Sequence, residues 1–213
     1  MKDKTRLLHM LCLLHGTSRK AVNTPIKRVS IYLSLCDPVK QETHPLQASY
    51  MNAWANTITN HTNSNALLQT GWSGASWARA AEIIRYTYNG WAASDIAAFE
   101  KMLRNVYLPN LLVGSQNNGN WELVMMEAAL GISVFLDDKS SYSTAMKKAL
   151  SRIPAYFYLT SDGPYPKAAD GSGLTTKEQI IKFWQGQSTF PENGISQETC
   201  RDFVHTGYGI AST

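Results

Sequence analysis

From about Ser49 onward the apolar positions fall on helical spacing. Trp77, Ala80, Ala81, Ile84 and Tyr88 recur at the intervals of one helix face, and Gly90 punctuates the run. Ser94 can cap a following helix, with Asp95 favourable at its positive end. Ile96, Phe99, Leu103 and Val106 mark that helix's buried side, and Pro109 is expected to end it. The stretch from Trp121 to Leu136 differs in kind. Leu123, Val124, Met125, Met126, Ala128, Ala129, Leu130, Ile132, Val134 and Phe135 leave it no polar face, the pattern of a helix enclosed on every side. Asp137-Asp138-Lys139 returns the chain to water. An amphipathic helix follows, with Tyr142, Ala145, Met146, Ala149, Leu150 and Ile153 turned inward and Pro154 closing it.

Residues 160–174 are rich in Ser, Asp, Gly and Pro and read as a loop, long for a compact domain and of a kind that often carries function. Thr175 and Glu178 have the spacing of a capping box, with Ile180, Ile181, Phe183 and Trp184 behind it. Residues 186–195 form a second loop, and a last helix is expected from near Ser196 toward the C-terminus. No strand alternation competes. Buried helices alternating with amphipathic ones predict an all-α domain of antiparallel helical hairpins, the arrangement an (α/α) toroid requires; a plain helical bundle is the alternative.

Composition changes this picture at one end only. Of 213 residues, 44% are hydrophobic and 17% charged, enough for a packed core. Residues 1–40 carry eight of the Lys and Arg residues against Asp3 and Asp37, about +6, so the remainder sums to about −2. Residues 1–45 are basic, hold Pro25, Pro38 and Pro45, and show no sustained period. They read as a flexible N-terminal arm or a start not native to the domain, leaving 46–213 as the domain proper. The scattered charges match no nucleic-acid-binding motif, so no nucleic-acid partner is expected. The apolar run Leu7 to Leu14, after Lys2, Lys4 and Arg6, faintly resembles a signal peptide, but His9 interrupts it and no small-residue cleavage site follows. It is too short to span a membrane, and no membrane partner is expected. Cys12, Cys36 and Cys200 fit no zinc, redox or disulfide framework.

Two segments carry the candidate chemistry. In Gln116-Asn117-Asn118-Gly119-Asn120-Trp121 a cluster of amides opens the buried helix. One Asn could simply cap that helix. The cluster exceeds what capping needs, and a helix N-terminus favours an anionic group. Trp121 could stack on a sugar ring, or pack in the core as most Trp residues do. The second segment runs from Gln197 to Gly207 and holds His205. A lone His beside Phe203 and Val204 is often structural. On one helix, however, Arg201, His205 and Tyr208 would share a face, and Asp202 could orient the imidazole. Gly207 and Gly209 suggest a close backbone approach or a turn. Amides that hold a carboxylate and a His that moves a proton are what β-elimination at a uronate needs, together with an acid for the departing O4; Asn118, His205 and a Tyr or Arg can fill these roles without metal. The rival chemistry is glycoside hydrolysis by paired carboxylates, for which Glu122, Glu127, Asp162, Asp170, Glu198 and Asp202 are candidates that no context singles out.

From about Gly71 to Gly209 the chain resembles the alginate-lyase-domain family of the chondroitin AC/alginate lyase group of helical toroids. The similar stretches are Ala78 to Tyr86, Met102 to Pro109, Asn117 to Leu123, Gly131 to Asp138 and Glu198 to His205. The resemblance implies an (α/α) toroid and metal-free β-elimination on a uronic-acid polymer such as alginate or glucuronan, with no cofactor, in a secreted or periplasmic protein. It assigns catalysis to Asn118 as carboxylate neutraliser and His205 as proton carrier, with Tyr208 as a reserve acid or base, and substrate contact to Asn117, Asn120, Trp121 and Arg201. Gly119 stands where alginate lyases carry a His after the Asn pair, so His205 must supply that proton transfer. Family members continue past Thr213 with a further Arg and Tyr, so the domain is expected to be a truncated toroid, at best weakly active by itself, exposing an apolar helix face. A glycoside hydrolase and an inactive polysaccharide-binding fragment are the alternatives.

Overall fold

The computed structural model describes residues 44–117 and 119–213. The expected arm therefore lies outside the described residues except for His44 and Pro45, which already belong to a helix. The signal-like run and Asn118 also lie outside them.

The described chain is all-α. Helices α1 (His44–Thr57), α2 (Ala66–Thr87) and α3 (Ala93–Met102) are followed by a π-helical turn, Leu103–Tyr107, and α4 (Leu108–Leu112). Then come α5 (Gly119–Phe135), α6 (Lys139–Tyr156), α7 (Lys177–Ile181) and α8 (Phe203–Ala211). Strands β1 (Phe157–Tyr158) and β2 (Ile195–Ser196) form one short antiparallel bridge that pairs Phe157 with Ser196. Contacts divide the described residues into two units, 44–57 with 79–99 and 58–78 with 100–213.

In the first unit Asn52 is the polar hinge pin. Its side-chain amide donates to Asp95 Oδ2 at 2.6 Å, and its Oδ1 accepts from the Trp91 indole at 2.9 Å. The Trp91 ring meets Phe99 edge-on, and His44 meets Tyr88 likewise. Both halves of the Asn52 amide are thereby satisfied in a part-buried position, which is what keeps such a group from destabilising the fold.

The second unit is built round α5, whose Leu123, Met125, Met126, Ala128, Ala129 and Ile132 are fully buried; the expected enclosure on every side does not hold, since Leu130 is half-buried and Val134 stands exposed. At its C-terminal end Asp137 takes a left-handed conformation (φ 52°) and Asp138 caps α6, accepting from the Ser141 N–H at 3.0 Å. This tight turn folds α5 and α6 into a helical hairpin. The start of α2 comes close to α5 because it offers no side chains there: a Cβ on Gly71 would stand 3.0 Å from Val124 Cγ1, and one on Gly74 3.2 Å from the Ala128 methyl. Residues 157–196 have a small core of their own, in which Trp184, Tyr158 and Phe190 are buried against Tyr165, Ile181, Phe183 and Ile195.

Several expectations are corrected. Pro109 does not end a helix; it sits in the first turn of α4, where its missing N–H costs nothing. The π turn before it, closed by the Leu108 N–H on Leu103 O, widens the helix where the proline ring would meet the carbonyl of Asn105. Pro154 likewise lies inside α6, which runs on to Tyr156. Tyr142 and Leu150 face outward, Leu150 at 63% exposure, because the strip of α6 that is buried consists of Ala145, Ala149, Arg152, Ala155 and Tyr156. The capping box is displaced by one residue: Thr176 is the N-cap and Gln179 its partner. The last helix starts at Phe203, since residues 195–196 are extended and 197–201 form turns.

Candidate functional site

The two segments that carry the candidate chemistry, far apart in sequence, meet in the second unit. Helix α5 opens at Gly119, whose backbone N–H would be one of the orphaned donors of a helix start. It donates instead to the side-chain oxygen of Gln197. Gln197 is itself buried and anchored, its own N–H donating to Tyr156 O at 2.8 Å. The next residue, Glu198, accepts on its backbone carbonyl from the Thr206 hydroxyl at 2.9 Å, and Thr206 follows His205. A short path of hydrogen bonds thus leads from the neighbour of Asn118 to the neighbour of His205.

Helix α8 is held by polar ties more than by burial. Asp202 is its N-cap: Oδ1 accepts from the His205 N–H at 2.8 Å. The same carboxylate holds His205 Nδ1 at 2.7 Å through Oδ2 and 2.8 Å through Oδ1. The His205 N–H, more than the imidazole, keeps the Asp202 carboxyl below its usual range despite an opposing desolvation effect. An imidazole whose Nδ1 donates to a carboxylate presents Nε2 as its basic nitrogen, and the carboxylate steadies the imidazolium once a proton arrives. Gly209 lies directly over Tyr156, and any Cβ there would collide with the Tyr156 hydroxyl. Farther along, the Ser212 hydroxyl donates to Glu127 of α5 at 2.8 Å.

Tyr156 is completely buried, and burial followed by the nearby Glu198 carboxylate pushes its phenol well above the ordinary value. It therefore stays neutral at any working pH and acts here as a wedge beneath α8, not as a base.

The structure distributes the remaining candidates unevenly. Tyr208 lies beside Trp72 of α2, ring centroids 5.5 Å apart at 34°, and keeps part of its surface exposed. Asn120 is buried in the first turn of α5, and its Oδ1 has no hydrogen-bond partner among the described residues. Trp121 is half-buried. Asn117 is exposed and borders a small pocket with Gln116, Arg152, Lys167, Ser172 and Gln197. Arg201 does not share a helix face with His205, as the spacing suggested, because α8 begins after it; its guanidinium lies 3.5 Å from Glu198 and 4.0 Å from Asp202. Of the glycines, Gly209 meets the expected close approach, whereas Gly207 has open space around its Cα.

The carboxylates offered for hydrolysis are mostly committed elsewhere. Glu122 is buried in an ion pair with Arg152 at 2.7 Å, and Arg152 also donates to Ser115 O at 3.3 Å. Asp162 pairs with Lys167 at 2.8 Å, Glu127 accepts from Ser212, and Asp202 caps α8. Among the described residues, no group of three or more His, Cys, Asp and Glu side chains gathers as a metal site, and no helix is long and apolar enough to cross a membrane.

Gln197, Tyr156 and Trp72 are contributors to which the sequence reading assigns no role. Gln197 opens the His205 segment, but nothing local reveals a partner at Gly119. Comparison of the chain with protein-family models, with curated proteins and with solved structures finds no match in any of the three.

Proposed function

We propose that this chain carries the site of a polysaccharide lyase that cleaves a uronic-acid polymer of the alginate or glucuronan type by β-elimination, on an (α/α) toroid to which the α5–α6 hairpin belongs. The single observation that supports the reading is the junction at Gly119 and Gln197, which joins the start of α5 to the segment bearing an Asp202-oriented His205.

In this reading Asn118 and the start of α5 neutralise the substrate carboxylate, which acidifies the proton at C5. His205 Nε2 takes that proton. The electron pair of the C5–H bond forms the C4–C5 double bond, the C4–O4 bond breaks, and Tyr208 or the protonated His205 gives O4 its proton. Asp202 stabilises the imidazolium in between. Trp121 and Trp72 offer ring surfaces for sugar stacking. A lyase of such polymers would work outside the cytoplasm, in the periplasm or medium. Paired-carboxylate hydrolysis is less well supported, because Glu122, Asp162 and Asp202 already serve ion pairs or a helix cap.

The test is an assay of the protein against alginate, polymannuronate, polyguluronate and glucuronan. Growth of the far-ultraviolet absorbance of the conjugated unsaturated uronate is the expected result. New reducing ends without that absorbance would favour hydrolysis, and binding without either would favour a polysaccharide-binding role.

A further inference from the structure

We infer that Gln197 is a positioning residue that keeps the start of α5 at Gly119 in register with the Asp202–His205 end of the site; its catalytic consequence rests on the lyase reading above.

Gln197 connects the end of α6, the start of α5 and the segment leading into α8. Its backbone is fixed to the end of α6 by the bond to Tyr156 O, directly after the β1–β2 bridge at Phe157 and Ser196. Its side chain reaches a position 78 residues earlier, the first N–H of α5. Its successor Glu198 holds Thr206, next to His205. Movement of α5's first turn against α8 must therefore stretch one of these bonds. The side chain is almost completely buried, so no water would take over the Gly119 N–H if the oxygen were withdrawn.

The choice of an amide also has a reason. A Glu at this position would accept the same N–H but place a negative charge on a helix start that, in this reading, must receive a carboxylate. Gln supplies the acceptor and leaves the positive end of the helix available to the substrate. The two functions of the side chain, reach and neutrality, are thus separable by substitution.

Three variants separate them. Gln197→Asn keeps the amide but is one methylene short; Gln197→Met keeps the length but has no acceptor; Gln197→Glu keeps the acceptor and adds charge. In Gln197→Asn and Gln197→Met, amide exchange at Gly119 should accelerate and the His205 ring resonances should shift, although the residue does not touch the imidazole. On the cleaved polymer kcat should fall about 10–10²-fold, the range that misplacement by about 1 Å can cost, with KM little changed. Gln197→Glu should retain slow exchange at Gly119 and most of kcat while raising KM. Either of the first two variants suffices if the other fails to fold. Unchanged exchange at Gly119, or faster exchange with His205 resonances and kcat unaltered, overturns the inference and leaves Gln197 a local cap. If the wild-type protein cleaves no polyuronate, the lyase reading falls, while Gly119 exchange and the His205 resonances still decide whether Gln197 couples the two ends.

Discussion

Helices α5 and α8 hold the two ends of the candidate site by opposite means. Most of α5 is enclosed, with Leu123, Val124, Met125, Met126, Ala128, Ala129, Ile132 and Phe135 buried and Val134 on the exposed side, and its position is set by dense apolar contact. In α8 only Gly209 is buried; Phe203 is 96% exposed, and Val204 and Ile210 stand largely in water. What places α8 is a handful of directional ties: the Asp202 cap, Thr206 on Glu198, Ser212 on Glu127 and the contact of Gly209 with Tyr156. The difference separates stability from chemistry. Substitutions in α5 should unfold the protein, whereas substitutions at His205 should stop a reaction in a protein that remains folded.

The largest effect expected from that division is kinetic. His205→Ala removes the proposed proton carrier, and loss of a positioned proton-transfer group costs about 10²–10⁴-fold in rate. Turnover measured by unsaturated-uronate absorbance should drop by that factor while the thermal unfolding curve stays close to wild type. If the variant unfolds, His205 is structural and α8 is not the dispensable element its exposure suggests.

Next in size is the buried pair under α5. Glu122→Ala would leave Arg152 charged, enclosed and without its carboxylate, and breaking such a pair costs about 3–5 kcal/mol. Urea unfolding should show that loss, and Glu122→Met combined with Arg152→Met should recover most of it, because two apolar side chains of similar volume leave no orphaned charge. A loss below about 1 kcal/mol, the range of exposed pairs, would mean that water reaches Arg152 and that the interior of α5 is less closed than its geometry implies.

A matched pair of truncations then compares the helices directly. Leu123→Ala should destabilise by about 2–5 kcal/mol, as deletion of a buried Leu side chain does. Phe203→Ala, a larger deletion, should stay within about 0.5 kcal/mol because the ring contacts mostly solvent. Equal losses in chemical denaturation would show that something covers the outer face of α8 in solution.

The same contrast explains what the sequence discloses. Most of the buried surface of α5 is legible because a helix with so little polar face must bury most of its sides; the exposure of Val134 is not. The Asp202–His205 pair is legible because its partners lie three residues apart and cross a helix cap. Other features depend on information that no local window holds. Tyr142 and Leu150 have the right period for a core face, but α6 turns its small residues and Arg152 inward, and only the position of Glu122 on another helix accounts for a buried arginine. Thr175 and Thr176 both carry an acceptor, and Glu178 and Gln179 both can reply, so the pattern fits two registers of one capping box. The start of α8 was obscured because Gln197 and Glu198 are helix formers by propensity; Gln197 is drawn instead to Gly119 and Thr206 to Glu198, so tertiary bonds override that preference.

The smallest expected effect concerns pH and bears on the same cap. Asp202 has its carboxyl held below the ordinary value, chiefly by the His205 N–H. A carboxyl with a lower pKa in the folded than in the unfolded chain binds fewer protons when folded, so its contribution is complete above the unfolded value, near 3.9, and is lost as pH falls through the folded value. At pH 5, above the ordinary carboxylate range, wild type should therefore melt at a higher temperature than Asp202→Ala. Below about pH 4 the gap should narrow as the wild-type carboxyl takes up its proton. Asp138, which caps α6 through Ser141, also has a depressed carboxyl and is present in both proteins, so its acid loss cancels in the comparison. A gap that persists unchanged to pH 2.5 would mean that the protonated side chain caps α8 as well as the carboxylate does, and that charge contributes nothing to holding His205 in place.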